Sequence, residues 1–107
     1  MKIFLSQPMA GKEEKEILLE RAYVTEFLKE KLGEDIEILH TYYDGPEPPL
    51  YKLGMAIQAM ANADMVFFLP GWNESRGCKI EYQCAKEYKL DRYELLPMPK
   101  DADQHED

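Results

Sequence analysis

The sequence has few of the side chains that most often bind metals or form disulfides. Among its 107 residues there are only two cysteines, Cys78 and Cys84, and two histidines, His40 and His105. A structural zinc site needs several such ligands at close spacing, so we expect no metal site. The cysteines are six residues apart on a predicted helix, which places them on different faces and excludes a disulfide between them. We see no signal peptide, and free thiols are typical of a reducing cytosol, so we predict a cytoplasmic protein.

Positive charge and long apolar runs are also scarce. The chain has 13 Lys and Arg against 21 Asp and Glu, a formal net charge of −8. Proteins that bind a nucleic acid duplex need a basic face, so this class is excluded. A small phosphate ligand is not excluded, because a few backbone amides and one or two cations can bind it. No apolar run approaches the roughly 18 residues of a membrane span, so we predict no membrane partner.

The common phosphate-binding motifs are absent as well. Neither GxxxxGK[ST] nor GxGxxG occurs in the sequence. The length is that of one domain, which we place at residues 1–97. Residues 98–107 are polar and acidic, and we predict a disordered tail there. A domain of this size buries only about two-thirds of its unfolded surface, which favours a homodimer or a higher homo-oligomer.

The hydrophobic pattern predicts strands and helices in strict alternation. The apolar positions follow a helical period in three segments, and short apolar runs separate them. This order is typical of an α/β fold with right-handed crossovers. We therefore predict a small three-layer Rossmann- or flavodoxin-like sandwich with a parallel sheet of four to five strands. The predicted strands are 1–6, 35–39, 64–70 and 91–97, and the predicted helices are 12–33, 50–63 and 76–88.

Ligands of such folds bind where the strands end, at the carboxyl edge of the sheet. Three segments follow predicted strands there: "SQPMAGK" at 6–12, "HTYYDG" at 40–45 and "PGWNESRG" at 70–77. Each contains polar groups, glycines or aromatic rings. We expect the functional site to be formed by these three segments.

Glu81 is the candidate catalytic residue. It lies near the N-terminus of the third predicted helix, where the helix dipole and the free amides favour a carboxylate that is ionised near neutral pH. An ionised carboxylate at a strand-to-helix corner can act as a nucleophile or stabilise a developing oxocarbenium ion. The alternative is an acid on the surface that only caps the helix.

Two of the three segments hold candidate substrate-binding residues. Ser75, Arg76 and Gly77 combine a hydroxyl, a guanidinium and a flexible backbone at a helix N-terminus, which is typical of a phosphate site. The alternative is that Ser75 is a plain N-cap. The segment after the first strand is either an ordinary turn or a second wall of the same cleft. Its candidate residues are Ser6, Gln7, Pro8, Met9 and Gly11.

Aromatic side chains in these loops could stack on a base or a sugar. Tyr42 is the candidate that we assign to substrate binding, and Tyr43 and Trp72 are further possibilities. The alternative is that these rings only cover the surface of the protein.

The ordered set of motifs resembles a known family. The first strand with its small-polar-Pro turn, Asp64 before an apolar third strand, and the pattern from Gly77 to Glu81 occur in the order found in a small, mostly phage and bacterial family (DUF4406-like). That family is similar to nucleoside 2-deoxyribosyltransferases. The resemblance covers residues 1 to about 90.

The resemblance implies cleavage or exchange of the N-glycosidic bond of a nucleoside or a nucleoside 5′-monophosphate, without a cofactor. Glu81 would attack C1′ of the sugar, and the deoxyribosyl-enzyme would pass the sugar to another base or to water. Transferases have an aspartate where this chain has Ser75, and a serine there contacts the 5′-phosphate in the nucleotide-cleaving branch. The resemblance therefore favours hydrolysis of 5′-monophosphates in a bacterial or phage-infected cell.

The general acid is not identified by the resemblance. The superfamily usually has a further aspartate on the second helix, near Ala56 of this sequence, where the nearest polar residue is Gln58. Either Asp44 or Asp64 replaces it, a neighbouring subunit supplies it, or the protein only binds its ligand. A non-catalytic nucleotide-binding phage protein is thus the alternative function, and a plain structural or interaction domain is the third.

Overall fold

A computed structural model describes residues 1–97. Helices and strands alternate along the chain as predicted, with one short 3₁₀ turn at Trp72–Glu74 before the last helix. The predicted acidic tail, 98–107, lies outside the described residues. The elements are β1 (Lys2–Ser6), α1 (Glu14–Leu32), β2 (Glu37–Ile38), α2 (Pro49–Met60), β3 (Met65–Phe68), α3 (Arg76–Glu87) and β4 (Arg92–Glu94).

The four strands form one parallel sheet in the order β2-β1-β3-β4. The central pair, β1 and β3, runs in register from Ile3 opposite Met65 to Ser6 opposite Phe68. The change of direction in strand order lies between β1 and β3, so the loops after these strands enclose a crevice at the carboxyl edge.

Helices cover both faces of the sheet, and two apolar clusters fill the layers between them. On one face Val24 and Leu28 of α1 pack on Ile3, Leu5 and other strand residues. On the other face α2 and α3 pack on the strand side chains that alternate with these. The predicted three-layer α/β sandwich with a four-stranded parallel sheet is therefore confirmed. None of the described helices has the length and hydrophobicity that crossing a bilayer requires.

The buried stripe of α1 is narrower than its apolar pattern predicts. Ile17, Val24 and Leu28 are buried, whereas Leu18 and Phe27 remain at least a third exposed. A helix that lies on one sheet face buries only the side chains directed at the sheet, and the flanking apolar positions stay open to solvent.

The start of α1 also differs from the prediction. The helix begins at Glu14 and not at Lys12, because Lys12 N donates to Met9 O at 3.1 Å and closes a tight turn first. Gly11 supports this turn with a φ of 80°. The helix ends with Gly33 as its C-cap, which has a φ of 115° and whose backbone N–H donates to Lys29 O.

Candidate active site

Glu81 lies at the carboxyl edge of the sheet, in the second turn of α3. Its side chain is only 8% exposed. Ser6 Oγ, at the end of β1, donates a hydrogen bond to Glu81 Oε1 at 2.6 Å. The contact joins residues 75 positions apart and fixes the carboxyl group over the end of the central strand.

A cleft of about 830 Å³ opens beside this carboxyl group. Its walls come from the loop after β1, the loop after β2, the first turns of α2 and the first turns of α3. The cleft therefore brings Glu81 together with residues 75–77, as the sequence predicts. The lining residues that matter below are Gln7, Met9, Thr41, Tyr43, Leu53, Ala56, Glu74, Ser75, Arg76, Gly77, Cys78 and Glu81.

The ionisation of Glu81 differs from the prediction. Burial raises the pKa of Glu81 from 4.5 to about 7, and the hydrogen bond from Ser6 offsets part of this rise. The helix dipole has little effect on this group, because Glu81 is the sixth residue of α3 and the dipole acts mainly within the first turn. The sequence predicts a carboxylate that is ionised near neutral pH, whereas desolvation raises the pKa of Glu81 into that range.

The first turn of α3 presents free backbone amides to the cleft. Ser75 is the N-cap, and its Oγ accepts a hydrogen bond from Cys78 N at 3.3 Å. The amides of Arg76 and Gly77 precede the first intrahelical donor and have no carbonyl partner in the helix. The exposed Arg76 side chain forms no ion pair with another residue of the described 1–97. The plain N-cap role of Ser75 and an anion-binding role are thus compatible in one turn.

The sequence predicts a flexible backbone at Gly77. In the structure Gly77 lies inside the first turn of α3 and is therefore helical. A Cβ added there would lie 3.9 Å from Leu53 Cδ1, which is an ordinary contact.

Gln7 is a fixed wall of the cleft. Its side chain is buried, and Nε2 donates to Ile17 O at 3.0 Å and to Glu20 Oε1 at 2.8 Å. Its Oε1 accepts from Arg21 Nη1 at 3.2 Å. Because each polar atom of the amide already has a partner, the side chain has a defined orientation at the edge of the cleft.

The remaining sequence-predicted residues are divided between the cleft and its surroundings. Met9 lines the cleft, whereas Pro8 and Gly11 do not. Pro8 packs beside Gly71, and Gly11 serves the turn before α1. Tyr42 does not line the cleft either, but its neighbour Tyr43 does.

Sequence reasoning missed Arg21. Its Nη2 donates to Leu39 O at 3.2 Å and to Thr41 Oγ1 at 3.1 Å, and its Nη1 holds Gln7. It therefore ties the ends of β1 and β2 together behind the cleft. Burial lowers the pKa of the Arg21 guanidinium. The sequence feature that could have identified Arg21 is its position in the buried stripe of α1, between Ile17 and Val24. A charged residue at such a position needs hydrogen-bond partners.

The structure narrows the choice of a general acid. Asp64 Oδ2 accepts from Lys2 N at 2.7 Å, at the amino end of the strands, so it lies at the opposite edge of the sheet. Asp44 does not line the cleft, and Ala56, where the resemblance implies an aspartate, is a buried part of its wall. Within residues 1–97, Glu74 and Glu81 are the only carboxylic acids that line the cleft.

Two further groups lie near Glu81. Burial raises the pKa of the Cys78 thiol, and burial also raises the pKa of Tyr43, whose hydroxyl donates to His40 O at 3.3 Å. Both are therefore weaker acids than their free side chains. In the part of the chain that is described, no three His, Cys, Asp or Glu side chains converge to hold a metal ion.

Comparison with known proteins gives one finding about identity. No curated protein matches the sequence. The model of a domain of unknown function, DUF4406, matches residues 1–92, a range that includes β1, the cleft and Glu81. The match spans most of the 107 residues, so the chain belongs to the DUF4406 family.

Proposed function

We propose that this protein is a member of the nucleoside 2-deoxyribosyltransferase-like superfamily that cleaves the N-glycosidic bond of nucleoside 5′-monophosphates, with Glu81 as the nucleophile. Hydrolysis is favoured over transfer to a second base. One observation carries the proposal: the buried Glu81 carboxyl group, held by Ser6, faces the cleft whose other end is the N-terminus of α3.

The spacing along α3 supports a substrate with a phosphate and a sugar. Arg76 and Glu81 are five residues apart, which is about 7.5 Å along a helix axis. This is of the order of one pentose with its 5′ substituent. A phosphate at the amides of Arg76 and Gly77 would thus leave the anomeric carbon near the carboxyl group of Glu81.

The chemistry uses the burial of Glu81. In the first step a carboxylate oxygen forms a bond to C1′ while the C1′–N bond breaks and its electron pair stays on the base, which takes a proton from solvent. In the second step water adds to C1′ and loses a proton to solvent, the ester bond breaks, and the carboxylate is restored, so the two steps together consume one water and no net proton. Burial disfavours the carboxylate but not the neutral ester, so the surroundings that raise the pKa of Glu81 also favour the covalent intermediate.

We expect base release to depend on pH through Glu81. Only the ionised carboxylate attacks, so kcat/KM should rise with pH and level off above a midpoint near the pKa of about 7. Initial rates from pH 5 to 9 on one deoxynucleoside monophosphate test this. A profile that falls over the same range would show that the protonated form reacts, and Glu81 would then be a proton donor and not the nucleophile.

Ser75 variants separate capping from phosphate binding. Ser75→Ala removes the N-cap and should cost about 1 kcal/mol of stability. Ser75→Asp keeps a good N-cap but places a negative charge beside the phosphate, so stability should be retained while KM for a 5′-monophosphate rises at least about tenfold. KM for the matching nucleoside, which has no phosphate, should change little. If Ser75→Asp weakened both substrates equally, Ser75 would not be a phosphate contact.

Base release from deoxynucleoside monophosphates, followed by chromatography of the free base, is the direct test of function. Ala56 favours one alternative, a protein that binds nucleotides without cleaving them, because the cleft wall is apolar where the superfamily has an acid. That alternative predicts stabilisation by a nucleotide, of about 2.7 kcal/mol at 100 times Kd, without any release of base.

A further inference from the structure

The outer edge of β4 is open in the described part of the chain. β4 is the last strand in the order β2-β1-β3-β4, and it pairs with β3 on one side only. Asp91 O accepts from Val66 N at 2.8 Å, and Leu95 N donates to Phe68 O at 2.9 Å. Backbone groups alternate in direction along a strand, so those of Arg92 and Glu94 point outward.

The two charged side chains on this edge make only weak polar contacts within residues 1–97, and Arg92 Nη1 donates a long 3.4 Å hydrogen bond to Leu90 O. Arg92 lies over the ring of Tyr82, 5.6 Å from its centroid, and Glu94 accepts only a long 3.4 Å hydrogen bond from Trp72. Neither Arg92 nor Glu94 forms an ion pair with any residue of 1–97. Both lie on the same face of the strand, because they are two residues apart.

The side chains of this edge are complementary in charge to those of a second copy that runs antiparallel to it. In "LDRYELL", residues 90–96, a twofold axis through Tyr93 brings Arg92 of one copy opposite Glu94 of another, and the reverse. The same axis brings Leu90 opposite Leu96, which is 83% exposed. The central Tyr93 would meet its own copy, and it is 45% exposed beside the open edge.

The hydrogen-bond pattern fits the same register. In an antiparallel ladder, opposite residues alternate between pairs that exchange backbone hydrogen bonds and pairs that do not. The outward backbone groups of Arg92 and Glu94 would form the bonded pairs, and Tyr93, whose groups point to β3, would form the non-bonded pair. Side-chain charges, apolar contacts and backbone direction therefore all agree on one axis.

We propose that β4 is the surface on which two copies of this chain associate, joined antiparallel about Tyr93 into one continuous eight-stranded sheet. Charged residues on an edge strand normally discourage pairing with foreign strands. Here Arg92 and Glu94 disfavour pairing with other strands but favour pairing with a second copy. In the proposed register each of these charges faces an opposite charge of the second copy. The two clefts would lie at opposite edges of the joined sheet, so neither copy would complete the site of the other.

Exchange of the two charges tests the proposal. Arg92→Glu and Glu94→Arg each place like charges opposite each other at both symmetric positions, so each should raise the dimer dissociation constant at least about tenfold. The double variant R92E/E94R restores opposite charges and should return the dissociation constant to that of the wild type. Sedimentation equilibrium over a range of protein concentrations measures all four proteins, and circular dichroism checks that each is folded.

Each result of the sedimentation experiment supports or overturns a different part of the proposal. A wild-type protein that is monomeric at high concentration overturns the proposal. A dimer that both single variants leave unchanged shows that another surface associates. Single variants that dissociate without rescue in the double variant overturn the register. Arg92 and Glu94 do not line the cleft, so base release, or its absence, decides the proposed function independently of this result.

Discussion

Replacing Glu81 with Gln should lower the rate of base release by about 10⁴-fold or more, as loss of a nucleophile does in other covalent enzymes. The amide has nearly the same shape, and its oxygen can still accept the hydrogen bond from Ser6. The cleft should therefore keep its form, and KM should change far less than kcat. Single-turnover measurements with excess protein would detect any residual release.

Glu87→Gln is the matched control for this experiment. Glu87 lies on the same helix but is exposed, and its Oε2 accepts a hydrogen bond from Gln83 Nε2 at 3.1 Å. The control removes an equal charge from α3 and should retain wild-type activity. If Glu81→Gln and Glu87→Gln released base equally fast, Glu81 would not be the nucleophile.

The same substitution should stabilise the protein at alkaline pH. The folded state holds the proton of Glu81 more tightly than the unfolded chain, because the pKa rises from 4.5 to about 7 on folding. The contribution of Glu81 to the free energy of unfolding is therefore largest below pH 4.5, and it is lost as pH rises to about 7. Above that pH the buried charge costs about 3 kcal/mol, which Glu81→Gln removes.

Thermal unfolding of the wild type and of Glu81→Gln at pH 5 and pH 8 measures this effect. At pH 8 the variant should melt about 10 °C or more above the wild type, and at pH 5 the two should differ little. Glu87→Gln should show no such dependence on pH, because Glu87 is exposed. An equal difference between Glu81→Gln and the wild type at both pH values would mean that Glu81 titrates alike in the folded and unfolded states.

Together the two results would describe a residue kept for chemistry at a cost in stability. A carboxyl group that destabilises the fold at neutral pH has no structural reason to be there, since Gln could make the same contact with Ser6. Such an opposition between stability and activity is common at active sites.

The fold could be predicted because its signals are local. The run 65–69 is apolar at every position; it contains the central strand β3, and its side chains from Val66 to Leu69 are buried on both faces of the sheet. The alternation of short apolar runs with segments of helical period then predicted the order of strands and helices. Which side of each helix is buried depends on the neighbouring sheet, and for that reason the helical spacing of Leu18 and Phe27 did not predict that both stay exposed.

The candidate site was predictable only in part. Residues at the ends of strands meet at one edge of a parallel sheet, so Glu81 and residues 75–77 could be expected together. The choice between Tyr42 and Tyr43 depended on the direction of side chains in a loop without periodicity. The contact between Ser6 and Glu81 joins distant parts of the chain, and no local pattern encodes it or the degree of burial that sets the pKa.

Trapping of the glycosyl-enzyme tests the central claim most directly. Fluorine at C2′ of a nucleoside 5′-monophosphate destabilises the transition states that resemble an oxocarbenium ion, so the covalent glycosyl-enzyme breaks down slowly and accumulates. After incubation with this compound, intact mass spectrometry should show the protein with one added sugar phosphate, and peptide mapping should place the addition on Glu81. Base release without an adduct, an adduct on another residue, or no reaction with any nucleotide would contradict the account.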